Sequence, residues 1–415
     1  MRKMKDSGID WIGEVPYNWR VVPIKSFLSK KKEILEKWTG ENVLSLTMNG
    51  VVIRNLENPS GKMPTTFDGY QKIDKGSLIL CLFDIDVTPR CVGIAYNDGV
   101  TSPAYSQYRI INGNLKFYYY LLLMMDNDKI LLPYSRTLRS TLTDEYFGAV
   151  KVVIPPLSEQ EKIAQFLDKK IALIDDIVTD TKTSIEELKA YKQSLITEIV
   201  TKGLDPTVKL VSSGIEWVGN VPEGWEVVKI KNISQLRNEK DIYETGQKFL
   251  ALEKMLSYRP GYIDLLTEVE GGYQQVVKID DVVFSKLRPY LAKVAISDFE
   301  GFGTGELLVF HNIKINRKLF MYKLISEQIL QPVRSSSYGV KMPRVNPDFI
   351  MNLLISFPKS LYEQHIIADH LDQKTAQIDT LIVEKENLIR EYETYKKSMI
   401  YEYVTGKKQV GANEG

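Results

Sequence analysis

Stepping alternately four and three residues from Leu167 visits Leu167, Ile171, Ile174, Val178, Thr181, Ile185, Leu188, Lys192, Leu195 and Ile199, eight of them apolar. No proline interrupts the stretch from Leu157 to Asp205. A repeat of 3.5 residues sustained this long predicts a helix with a coiled-coil seam rather than an ordinary amphipathic surface helix. The same stepping further along visits Leu371, Thr375, Ile378, Ile382, Lys385, Ile389, Tyr392, Lys396, Met399 and Tyr403. Polar residues interrupt the two seams at matching places, Thr181 with Lys385 and Lys192 with Lys396. A polar seam residue lowers stability but fixes register and partner. Each helix follows a proline, with Ser158 or Tyr362 near its N-cap, and Gly203 and Pro206 stop the first. From Ser158 to Thr201 such a rod would be about 65 Å long.

Outside the helices the pattern changes. "GSLILCLFDIDV", "AVKVVIPP", "DDVVFSKL" and "ELLVFHNIKI" are β-rich or alternating and predict strands. The apolar run Phe117–Met125 predicts a buried helix and is too short to cross a bilayer. The blocks are therefore expected to be α+β.

The two helices belong to a larger duplication. "SGIDWIGEVPYNW" from Ser7 returns as "SGIEWVGNVPEGW" from Ser213, and "PPLSEQEKIAQFLDKKIALID" from Pro155 returns as "KSLYEQHIIADHLDQKTAQID" from Lys359. "YKQSLITEIVT" from Tyr191 matches "YKKSMIYEYVT" from Tyr395, whereas the stretches between these anchors correspond only weakly. The expected organisation is a globular block at 1–157, a spacer helix at 158–204, a second block at 205–359, a second helix at 360–405 and a tail at 406–415. The helices could serve only to dimerise two chains. Duplication already supplies a partner helix within one chain, so intramolecular antiparallel pairing is the favoured expectation, with the blocks at opposite ends of a spacer.

Composition adds limits. The chain has 415 residues, 44% hydrophobic and 26% charged, with a net charge of +1, so charge alone does not predict nucleic-acid binding. "MRKMKDSG" is followed by no apolar signal region, and a cytoplasmic protein without membrane contact is expected. Cys81 and Cys91 suffice neither for a disulfide framework nor for a four-ligand zinc site. No Gly-x-x-x-x-Gly-Lys-Ser/Thr phosphate loop and no Asn/Asp-Pro-Pro-Tyr/Phe loop of amino-methyltransferases occurs. His365 and His370 are five residues apart and diverge by about 140° on a helix. No catalytic or metal site is therefore expected, and a free-standing methyltransferase or nuclease is disfavoured.

The four pieces "SGIDWIGEVPYNW", "PPLSEQEKIAQFLD", "TKGLDP" and the half-chain repeat together resemble the specificity subunits of type I restriction–modification systems. The resemblance implies that each block is a target recognition domain for one half of a split site in double-stranded DNA, with the helices fixing the gap. It implies that the repeats dock two methyltransferase subunits, which carry S-adenosylmethionine for adenine methylation, while motor-nuclease subunits bring ATP and Mg. This chain would then hold no cofactor and perform no catalysis. The competing reading is a non-catalytic coiled-coil scaffold whose blocks bind protein.

Under this resemblance DNA contacts are expected on loops rich in Arg, Lys and Tyr. In the second block these are Lys286, Arg288 and Tyr290 of "SKLRPYLAK", with Tyr338, Lys341 and Arg344 of "SSSYGVKMPRVNP". In the first they are Arg90 of "DVTPRC" and Arg136 and Arg139 of "YSRTLRSTL". Any one of them could equally be a solvated surface charge. Exposed Glu159, Gln160, Glu363 and Gln364 are the expected docking residues, with Trp11, Trp19, Trp217 and Trp225. Two readings stand for the tryptophans, since they could instead bury the first strand of each block. "FPKSLYEQ" carries one residue more than "PPLSEQ", and His370 replaces Phe166, so the two docking copies are expected to differ in strength.

Overall fold

The computed structural model describes residues 2–58, 63–135, 140–214, 219–337 and 342–411. Arg136, Arg139, Trp217, Tyr338 and Lys341 lie outside the described residues. The chain forms two compact units, residues 1–180 with 387–415 and residues 181–386. Each unit therefore takes one block and half of each long helix, Leu157–Lys202 and Leu361–Val404.

In the first unit a four-stranded antiparallel sheet runs Leu28–Lys31, Tyr105–Ile110, Leu78–Cys81, Val92–Ile94. A second pair, Arg20–Pro23 with Lys151–Ile154, leads into the first long helix. Strands Met4–Asp6 and Glu14–Pro16 form the N-terminal hairpin. The helix Leu115–Asn127 is buried along most of its length, as its apolar run predicts, and Asn114 caps it by accepting from the Phe117 N–H. The long-helix seam closes against the far end of the second long helix. Leu167, Ile174 and Val178 share one core with Met399, Ile400, Tyr403 and Val404. Phe166 packs on Tyr403 with ring centroids 4.5 Å apart, and Lys396 pairs with Asp175. The numbers rise on one helix as they fall on the other, so the pairing is antiparallel.

The second unit repeats this plan. Its sheet runs Gln235–Leu236, Leu307–His311, Val282–Ser285, Val294–Ile296 in the same order. Glu226–Lys229 pairs with Leu354–Phe357 and Leu210–Ser212 with Asn220–Pro222. The helix Arg317–Leu324 is capped by Asn316, which accepts from the Leu319 N–H. Ile196, Ile199 and Val200 share a core with Ile367, Ala368 and Leu371, and Lys192 pairs with Asp379. This pairing is antiparallel as well. All twenty seam positions read from the sequence are buried or half-buried, the polar ones included.

A second layer carries the same duplication. Gln71–Ile73 pairs with Gly99–Thr101 as Gly272–Val277 pairs with Gly301–Gly303. At Gly99 a Cβ would lie 2.3 Å from the Asn42 carbonyl oxygen, and at Gly301 it would lie 2.3 Å from that of Lys248. Only glycine permits these close strand approaches. The layers differ beyond them. The first unit adds a hairpin, Leu44–Thr47 with Gly50–Ile53, and the second adds Lys240–Tyr243 and the segment around Leu252–Lys254.

Candidate nucleic-acid interface and docking segments

In the second unit the two predicted loop segments come together. Strand Val282–Ser285 ends in Lys286, Leu287 and Arg288, and Arg288 takes a left-handed conformation with φ 48° before the short turn Pro289–Leu291. Ala292 closes that turn at φ 50°. The segment is tied to residues 343–345. The Arg288 N–H donates to the Pro343 carbonyl at 2.7 Å, the Val345 N–H donates to the Lys286 carbonyl at 3.0 Å, and Leu287 bridges Arg344. Backbone hydrogen bonds thus fix the loop while the Arg288 side chain remains exposed. Lys286 and Tyr290 are half-buried beside it. Among the described residues, no side chain pairs with Arg288.

Arg344 is placed differently. Its guanidinium forks onto Glu306 at 3.0–3.1 Å, so it anchors the loop instead of projecting from it. Residues that sequence reasoning missed complete the cluster. Tyr258, at φ 57° and exposed, donates its N–H to the Leu291 carbonyl, which brings "YRPGY" beside the Arg288 turn. The signal was present, since Tyr and Arg beside Pro-Gly is the same irregular cationic pattern as "LRPY". Arg259 approaches Asp379 at 3.3 Å.

The first unit builds its corresponding turn with other chemistry. Asp84, at φ 47°, occupies the left-handed position that Arg288 holds in the repeat, and exposed Phe83 and Val87 flank it. Arg90 is not presented by this loop. Its guanidinium is largely buried and bonds Asp126 and Asn127, while the Lys129 ammonium donates to the carbonyls of Ile85 and Thr88. The turn is held from inside by cations and shows acidic and apolar side chains outside.

The docking residues also need correction. Gln160 and Gln364 are not exposed, at 4% and 2% accessibility. Gln160 accepts from the Asn114 N–H at 2.9 Å and donates to the Pro155 carbonyl at 3.0 Å. Gln364 accepts from the Asn316 N–H at 2.8 Å and donates to the Pro358 carbonyl at 2.7 Å. Each glutamine thus clamps a helix cap of its block to the start of a long helix. The repeated Leu-Asp pair acts alongside it. Asp168 accepts from the Tyr120 hydroxyl and pairs with Lys116, while Asp372 accepts from the Tyr322 hydroxyl and pairs with Lys318. Burial above all pushes the Tyr120 and Tyr322 hydroxyls well above their usual range; the carboxylates add to it, and at Tyr322 the Thr375 hydroxyl partly offsets it.

Trp19 is fully buried and donates Nε1–H to Glu159 at 3.1 Å; half-buried Trp225 donates to Glu363 at 3.2 Å. Trp11 is half-buried against the core of its unit. Trp11, Trp19 and Trp225 thus do bury the opening strands, and Trp225 retains an exposed part. Glu159 is mostly covered and ion-paired, whereas Glu363 is exposed.

Cys81 and Cys91 are buried free thiols, and burial pushes Cys91 up to about 12. No group of three His, Cys, Asp or Glu suited to a metal ion occurs among the described residues, and no helix among them is long and apolar enough to cross a membrane.

This architecture of paired units has known counterparts. A family model described as the type I restriction modification DNA specificity domain matches residues 71–187 and 222–391, most of the chain and both units. The chain belongs to this family. Among curated relatives, the type I restriction enzyme MjaVIII specificity subunit of Methanocaldococcus jannaschii is 27% identical over 282 residues, 64% of this chain and 63% of the relative. The EcoDI specificity subunit of Escherichia coli is 21% identical over 299 residues, 65% of this chain and 63% of the relative. The chain thus spans just under two thirds of the length of these family members. Two solved structures share the fold. A chain from a structure describing assembly and conformational transition of a type I restriction–modification system superposes with a TM-score of 0.70 at 14% identity, covering 95% of this chain and 99% of that one. The HsdS subunit from Thermoanaerobacter tengcongensis gives 0.52 at 15% identity, covering 95% and 98%.

Proposed function

We propose that this family member is the DNA-recognition subunit of a type I restriction–modification complex, each unit reading one half of a split target. One observation supports this reading above the others. The same sheet, capped helix and long-helix clamp are built twice, yet at the equivalent left-handed turn position one unit carries Arg288 and the other Asp84. A repeated scaffold with different loop chemistry suits two modules of different specificity. An exposed arginine offers two donors to guanine, worth about 1–3 kcal/mol of discrimination, while lysines such as Lys286 hold phosphate. An aspartate can accept from the cytosine amino group, so the first unit need not read with cations at that turn. In this reading the paired helices fix the gap between the half-sites.

The chain itself is non-catalytic in this proposal. Two methyltransferase subunits dock on the repeated segments and carry S-adenosylmethionine; motor-nuclease subunits bring ATP and Mg. The test is DNA affinity of the full chain co-purified with its methyltransferase subunit, measured against salt. Recognition predicts a steep linear loss of log affinity with log salt. Absence of salt-dependent binding, with the partner bound, would instead favour a scaffold that binds protein.

A further inference from the structure

The two docking copies differ in whether a cation meets the glutamate. In the first unit Arg2 forks onto Glu159, Nη1 to Oε1 at 2.6 Å and Nη2 to Oε2 at 2.7 Å. Its guanidinium lies 5.6 Å from the Trp19 ring centroid, and Trp19 donates to the same carboxylate. Bidentate pairing together with an aromatic face is a setting that favours arginine over lysine. The repeat register identifies the equivalent of Arg2. Met4–Asp6 corresponds to Leu210–Ser212, and the Tyr17 N–H bond to the Lys3 carbonyl corresponds to the Glu223 N–H bond to Lys209, so Arg2 corresponds to Val208.

Valine supplies no cation. Glu363 keeps its Trp225 donor at 3.2 Å, but among the described residues it has no cationic partner. Space opens beside Val208, in a cavity that neither Glu363 nor Trp225 lines. Where Phe166 packs on Tyr403 in the first unit, the repeat has His370 and Ile199, and both line an open cavity of 540 Å³ with Gly203, Leu204 and Val208. Lys323 covers Trp225 from within the core at 5.3 Å, and it corresponds to buried Leu121 in the first unit.

We infer that Glu363 and Trp225 form a receptor for one arginine of a docking methyltransferase subunit, a contact that Arg2 already fills in cis at the first copy. The inference rests on the docking reading above. The two docking events are consequently unequal, and only the second depends on a partner guanidinium.

Native mass spectrometry of the full chain titrated with its methyltransferase subunit tests this by resolving the two binding steps. Hydrogen exchange over 361–371 against 157–167 in the one-subunit complex assigns each step to a copy. E363Q should weaken the step at the second copy by about tenfold and leave the other within about twofold. V208R, which returns an arginine in cis, should weaken that same step. Two subunits binding with both steps unmoved by either variant would overturn the inference and leave the docking reading intact. Failure of the wild-type chain to bind any subunit would overturn both.

Discussion

Lys192 and Asp379 meet across the seam of the second unit, Nζ to Oδ1 at 2.6 Å, with only 6% and 12% of their side chains exposed. The repeat places Lys396 opposite Asp175 in the first unit, but there 23% and 53% are exposed. One sequence device thus has two energetic settings. Removing one partner of a buried pair strands a charge at about 3–5 kcal/mol, whereas an exposed pair contributes about 0–1 kcal/mol. D379N should therefore lower the urea midpoint strongly and D175N barely. Equal losses would show that seam burial does not set the cost.

The buried glutamine clamps give a second expectation. Q364A leaves the Asn316 N–H and the Pro358 carbonyl without their partner, at a cost of about 1–3 kcal/mol per stranded group. The Asn316 amide should lose hydrogen-exchange protection more than the seam does, and Q160A should do the same to Asn114. Unchanged protection at both amides would contradict the clamp.

Lys323 introduces a pH dependence. Burial pushes its ammonium down to about 7 from an ordinary 10.5. The unfolded chain then binds more protons between those values, so stability rises with pH from about 7 to 10.5. Below about 7 the cost of burying the charge is present in full. K323L, which installs the leucine that the first unit carries at the equivalent Leu121 and removes the amine's hydrogen bond to the Val200 carbonyl, should flatten this rise. The check is Tm against pH for both proteins. A wild-type profile no steeper than that of K323L would count against a buried, neutralised amine.

Gly301 sits where a Cβ would meet the Lys248 carbonyl oxygen at 2.3 Å. G301A must separate the strands and should cost about 1–3 kcal/mol, the usual range for overpacking. Gly305, which has nothing within 4 Å, supplies the control, and G305A should be near neutral by the same urea melt.

Much of the scaffold was legible because its signals are local. The heptad seam could be read residue by residue, since a 3.5-residue period must bury the same face throughout. The buried apolar helix over Phe117–Met125 was equally plain. The roles of the repeated Glu-Gln and Leu-Asp pairs were not, because their partners lie far off in sequence: Gln160 answers Asn114, and Asp168 answers Tyr120. Polarity alone suggested exposed docking residues, and burial reversed this for both glutamines. Arg90 was misplaced for a related reason. The left-handed position falls on Asp84, six residues earlier, and only the fold reveals that alignment.

The proposed function rests on two independent modules reading two half-sites, and a methylation map reads out both at once. The chain is co-expressed with its methyltransferase subunit in a host free of other adenine methylation, and modified bases are read by sequencing. Independent modules predict two short defined elements around a fixed gap, with R288A relaxing one element and sparing the other. A single uninterrupted motif, or equal loss in both elements with R288A, would contradict them.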